Sequence, residues 1–204
     1  MDSKHHDYAV ITGNYWAFTL TDGALRMLVV LHFHSLGFTP FEIASLFLFY
    51  EFFGIVTNAV GGWLGTRVGL NRIMQIGLLI QIGALLMLLV PEQMLSVTWV
   101  MVAQALSGVA KDLNKMSAKS SMKSIATDQN DGLYRIVAFL TGSKNALKGA
   151  GFFGGAVLLS VFDFQGAIIA MVVMLTIVWV SSLLLLRQEL GLSLIHISEP
   201  TRPY

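Results

Sequence analysis

Six apolar runs, each close to the length that crosses a ~30 Å hydrocarbon core, dominate this 204-residue chain. They cover about Tyr8 to Phe33, Phe41 to Leu64, Ile73 to Val90, Ser96 to Met116, Ile136 to Val161 and Ala167 to Leu186. The connections between them are short: "HSLGFTP", "GTRVGLNR", "PEQML", a polar loop around "SIATDQNDGLYR", and "FDFQG". Backbone polar groups inside lipid must find partners within their own segment, so runs of this kind can only be transmembrane helices. Composition agrees, because 12% charged residues is about half the roughly 25% of a soluble domain, too few to cover a surface in water. The expected class is an all-α, polytopic membrane protein with the lipid bilayer as its constant partner. The opening "MDSKHHDYAV" has no basic n-region leading to a short apolar core and cleavage site, so the first span is expected to be retained.

Lys and Arg outside the spans set the orientation. Lys4, Arg67, Arg72, Lys119, Lys123, Arg135 and Arg187 all fall on the side of the N-terminus, and the loops after spans one, three and five carry none. Both ends of the six-span segment are therefore expected in the cytosol, in an inner (cytoplasmic) membrane. The final "LSLIHISEPTRPY" breaks the pattern and resembles the conceptual translation of a transposon-end sequencing adapter. Residues 1–191 are accordingly expected to form the six-helix bundle. Residues 192–204 are expected to be a non-native tail that cuts the gene short of a second, C-terminal set of six spans.

Charged residues inside spans are costly and normally face a bundle interior or a watery path. Span one holds Asp22 and Arg26, span two Glu51, span four Lys111, Asp112 and Lys115, and span five Lys144 and Lys148. Spans three and six hold none. Counted from Ile136, Lys144 lies ~12 Å and Lys148 ~18 Å into the membrane, and Lys148 is too deep to snorkel. Lys115 is within a turn of the cytosolic end, where Lys119 and Lys123 serve as anchors. Residues four apart share a helix face, which makes 111/115 and 144/148 vertical pairs. Asp22 and Arg26 have the same spacing and either neutralise each other or face separate partners. Glu51 either pairs with a lysine or carries a proton. Five basic residues against three acidic leave a surplus of two positive charges, which suits an anionic small molecule and above all a phosphate-like oxyanion. Gly149, Gly151, Gly154, Gly155 and the "SGVA" stretch read as close-packing positions.

No mid-membrane nucleophile or metal constellation is evident, so the chain is not expected to be an enzyme. His32 and His34 are two apart and diverge on a helix, and the absence of cysteine removes disulfides and thiolate metal sites. No cofactor, metal or nucleic-acid partner is expected.

The loop "GGWLGTRVGLNR" resembles the signature of the major facilitator superfamily, which Gly62, Arg67, Gly69 and Arg72 match. Thr66 stands where that family usually has aspartate, which removes the carboxylate of the charge relay usually given to this loop. The plainer role of the arginines is anchoring at anionic lipid heads. The resemblance implies that spans one, two, four and five border a central cavity while three and six lie outside, and the charged residues fall on those four spans. Three stretches are more specific: "YWAFTLTDGALRMLVVLHFHSLGFTPFEIASLFLFYEFFG", "QALSGVAKDLNKMSAKSSMK" and "LTGSKNALKGAGFFGG". Over about residues 7–190 the chain resembles the organoarsenical efflux permeases of that superfamily. This implies export of 1-arseno-3-phosphoglycerate by alternating access and a functional link to a glyceraldehyde-3-phosphate dehydrogenase. On this reading Lys148, Lys144, Lys111, Lys115 and Arg26 bind substrate, and Asp22, Glu51 and Asp112 serve in coupling or ion pairing. Another organic anion or a sugar phosphate is the alternative cargo.

Overall fold

The computed structural model describes residues 2–126 and 132–186, and every described element is helical. The elements are α1 (Asp2–Ser35), α2 (Pro40–Leu46), α3 (Leu48–Val68), α4 (Leu70–Met87), a 3-10 turn (Glu92–Met94), α5 (Val97–Ala126) and α6 (Gly132–Leu185). The tail at 192–204 lies outside the described residues, as do the side chains of Lys4, Thr66, Lys123, Arg135 and Arg187.

Local chemistry explains the starts and stops. Thr39 caps α2: its Oγ1 accepts from the Glu42 amide, Glu42 Oε2 accepts from the Thr39 amide at 2.8 Å, and Pro40 supplies a pre-set φ at the first helical position. Ser96 Oγ accepts from the Trp99 amide at 3.3 Å and opens α5. The expected second span is two helices, α2 and α3, hinged at Phe47. The connection expected at "GTRVGLNR" shrinks to Gly69, whose φ of 89° lets α3 and α4 reverse direction within one residue.

Two more boundaries differ from the sequence pattern. α5 continues past the expected Met116 to Ala126, because "SAKSSMKSIA" is amphiphilic and stays helical after leaving the apolar zone. The connection expected at "FDFQG" is there, as a single-residue break rather than a loop. α6 is broken only at Asp163 (φ 58°, ψ −179°) into arms 132–162 and 164–185. A non-glycine residue in that region costs about 1–3 kcal/mol and persists where its surroundings hold it. Here Phe164 provides the hold, buried and stacked on the His32 ring at 3.8 Å.

α1 packs chiefly on α6, and α5 on α3 and α4. The main core joins Leu25, Leu28 and Phe33 of α1 to Leu78 and Leu85 of α4, Val100 of α5, and Ile168 and Met171 of α6. Small residues set the two tightest crossings. A Cβ on Gly151 or Gly155 would run into the α1 backbone at Leu20 and Ala24, and one on Gly108 would meet the Tyr50 carbonyl. Lipid gives apolar helices little drive to associate, so such close backbone contact carries the packing. Gly149 and Gly154 have open space around them and take no part.

Length and apolarity alone pick out three stretches able to cross a membrane among the described residues: Pro40–Gly61, Leu70–Met87 and Ala138–Leu185, the last long enough for two crossings. α1 and α5 fail that test because they bury polar side chains. These include Thr12, Asn14, Thr19, Thr21 and Asp22 on α1, and Gln104, Ser107, Asp112, Asn114 and Ser117 on α5. They are the helices with an interior to face.

Candidate functional site

Between α1, α3, α5 and α6 lies a cavity of about 180 Å³. Seven of the eight in-membrane charges line it: Asp22, Arg26, Glu51, Lys111, Lys115, Lys144 and Lys148. Tyr15, Phe18 and Thr19 complete the lining. The eighth charge, Asp112, is buried behind it with 7% of its side chain exposed. Lys144 and Lys148 face the cavity from the first arm of α6, one helical turn apart.

The charges pair across helices. Arg26 donates to Glu51 Oε1 at 2.7 Å, and Lys111 reaches Glu51 Oε2 at 3.4 Å. Asp112 lies 3.8 Å from Lys111 and 3.3 Å from Lys115. The Asp22–Arg26 pairing that the four-residue spacing allowed is replaced by separate partners, since Tyr50 donates its hydroxyl to Asp22 Oδ1 at 2.5 Å. The reason is reach: Tyr50 and Glu51, adjacent on α3, extend one donor to Asp22 and one acceptor to Arg26. The Tyr50 ring also carries Arg26 Cζ at 4.0 Å and Lys111 Nζ at 4.1 Å from its centroid, within the range of cation–π attraction. Gly54 makes room for this cluster, because a Cβ there would lie 2.5 Å from Asp112 Oδ2.

Lys144 and Lys148 have no carboxylate within ion-pair distance among the described residues. Lys148 Nζ sits 5.8 Å from the Phe152 ring centroid, and its carbonyl closes on Gly23 at the α1–α6 crossing. The surplus positive charge of the cavity is therefore concentrated on α6. Chemically, this is a half-buried site with ammonium groups free to receive oxyanion oxygens.

The signature-loop residues lie elsewhere. Gly62 is within α3, Gly69 forms the reversal, Arg67 stacks over Trp63 at 4.6 Å, and Arg72 is exposed on α4 beside a second cavity of about 330 Å³. Beneath that cavity Ser182 Oγ accepts from Asn14 at 2.7 Å and from Gln75, tying α1, α4 and α6 together. His32 is buried and His34 exposed, the divergence their spacing implies.

Residue-by-residue reading missed Tyr50, Tyr15 and Thr19. A signal existed for two of them, because Tyr15, Thr19, Asp22 and Arg26 recur at the spacing of one helix face. Tyr50 had none: it sits in the aromatic run "FLFYEFFG", where any ring looks lipid-facing.

A bundle of apolar helices long enough to cross a membrane, around a charged cavity, is the arrangement of a multi-pass membrane protein. The sequence profile of the Major Facilitator Superfamily matches residues 11–200, and the chain belongs to that family. The fold is six transmembrane helices, one half of the major facilitator architecture. No curated protein matches the chain. A solved structure of a bacterial homologue of the human drug peptide transporters PepT1 and PepT2 is similar in fold, with a TM-score of 0.69 at 18% identity. The match covers 92% of this chain and 43% of that one, so the chain spans less than half the length of that transporter.

Proposed function

We propose that the chain is the N-terminal bundle of an alternating-access exporter whose cargo is a phosphorylated organoarsenical anion, 1-arseno-3-phosphoglycerate. The observation that carries this reading is the pair of ammonium groups, Lys144 and Lys148, that have no ion-pair carboxylate among the described residues, on one wall of an otherwise ion-paired cavity. A cargo with a phosphate at one end and an arsenate at the other supplies the anionic oxygens that such a wall lacks. The resemblance of three cavity-lining stretches to organoarsenical permeases supports the same cargo. A glyceraldehyde-3-phosphate dehydrogenase is then the enzyme that makes it, and a second six-helix bundle supplies the facing wall in place of the tail at 192–204. The positive-inside count supports an inner membrane with the N-terminus cytosolic.

Everted vesicles carrying the full-length gene product provide the test. Given arsenate, glyceraldehyde-3-phosphate, NAD and the dehydrogenase, they are expected to accumulate arsenic. Omission of either the dehydrogenase or the transporter is expected to abolish the uptake. Accumulation of arsenate without the dehydrogenase refutes the proposed cargo. Uptake of 3-phosphoglycerate with no uptake of arsenic assigns the site to an organic phosphate instead.

A further inference from the structure

The cavity is already partly occupied by an anion of the protein's own. Glu51 lays one carboxylate oxygen on Arg26 at 2.7 Å and the other on Lys111 at 3.4 Å, which is how a bound oxyanion would bridge the same two cations. The members of this cluster are not equally fixed. Arg26 and Lys111 are held, with side chains 20% and 22% exposed and both heads against the Tyr50 ring. The Glu51 side chain is 57% exposed, and Arg26 and Lys111 are its only ion-pair partners among the described residues. A carboxylate this open has room to swing away from the pair. The cations stay behind.

Asp112 makes the contrast. It also contacts two lysines, but its side chain is 7% exposed and fills the space left by Gly54, so it has nowhere to go. Asp22 is equally confined by the Tyr50 hydroxyl.

We propose that Glu51 is an internal counter-anion that competes with the transported anion for Arg26 and Lys111 and is displaced when that anion binds. This rests on reading the cavity as an anion site, and it adds a residue that sets affinity from the acidic side. An incoming phosphate-type group meets Lys144 and Lys148 first, since neither has an ion-pair carboxylate among the described residues, and then takes the Arg26–Lys111 pair from Glu51. In the empty carrier Glu51 offsets part of that pair's charge, which lowers the cost of holding the cations in a lipid-surrounded cavity while the bundle reorients. Affinity is thereby kept below what the same cations would give without Glu51, as an exporter that must release its cargo requires.

The test uses the full-length gene product in nanodiscs, with inorganic phosphate as the probe at constant ionic strength and calorimetry as the readout. Glu51→Gln removes the competing charge and is expected to bind phosphate at least about tenfold more tightly than wild type, a gain that structural damage does not produce. Phosphate should also raise the melting temperature of Glu51→Gln more than that of wild type, since tighter binding to the folded state adds stability by mass action. Asp112→Asn is expected to show no such tightening. If Glu51→Gln does not fold, Glu51→Asp carries the test: its carboxylate falls one methylene short of the cations, and it should bind phosphate several-fold more tightly. Wild-type binding that Glu51→Gln, or in its place Glu51→Asp, fails to tighten overturns the internal competitor and leaves the anion site standing. Absence of phosphate binding in wild type and variants alike overturns both. Phosphate binding without arsenical transport overturns only the proposed cargo.

Discussion

On the wall built by α1, α3 and α5, each cation has a carboxylate within ion-pair distance: Arg26 and Lys111 on Glu51, Lys111 and Lys115 on Asp112. On the α6 wall, Lys144 and Lys148 have none among the described residues. Both walls carry lysines four residues apart on a helix, so the spacing is the same and the electrostatics differ. A paired lysine is a structural member whose charge is largely spent. An unpaired lysine at membrane depth is tolerated only where water or a ligand answers it. The comparison teaches that a count of charges per span says less than the partner each charge finds.

The strongest way to break this contrast is Lys148→Gln in the full-length gene product, which removes a charge that no ion-pair carboxylate cancels among the described residues. Vesicle transport is expected to fall about 100-fold or more, with membrane insertion intact on blotting, because Lys148 offers a point charge that Gln cannot replace. Near-normal transport by a well-expressed Lys148→Gln variant would falsify the idea that α6 holds the receiving charge. On the paired wall, Lys115→Gln should cost much less, about 3- to 10-fold, since Asp112 already offsets that charge and keeps Lys111 as a partner. An equal loss at both positions would erase the distinction between the walls.

Tyr50→Phe sharpens the comparison through stability. The ring and its two cations are kept, but the buried Asp22 carboxylate loses its donor, which should destabilise the bundle by about 1–3 kcal/mol in thermal unfolding. An unchanged melting curve would show that Asp22 has another partner. The smallest effect belongs to Lys119→Gln, exposed on the C-terminal extension of α5, expected to alter transport by less than about twofold in the same assay. A large loss there would extend the site beyond the cavity.

Much of this was legible in the chain itself. Helical membrane spans follow from run length, because lipid offers the backbone no other partner. Seven of the eight in-membrane charges were readable as cavity residues, since only an interior repays their burial. The breaks were harder. Phe47 redirects its helix without a proline or glycine to announce it, whereas the break at Asp163 falls inside the expected "FDFQG" connection, and its one-residue form is held by packing of Phe164 on His32, far apart in sequence.

The partners were not legible at all. Sequence offers Arg26 the carboxylate one turn before it, Asp22, and the local rule for that spacing favours the pair. Tertiary structure decided otherwise. Gly108 lets α5 come against the Tyr50 carbonyl, Gly54 opens room for Asp112, and α3 carries Glu51 to Arg26 and the Tyr50 hydroxyl to Asp22. The chain by itself determined which residues must leave the lipid, because that depends on each residue's own cost of solvation. Only the crossing of the helices decided which charges cancel and which stay available, because that depends on distances of a few ångströms between residues remote in sequence.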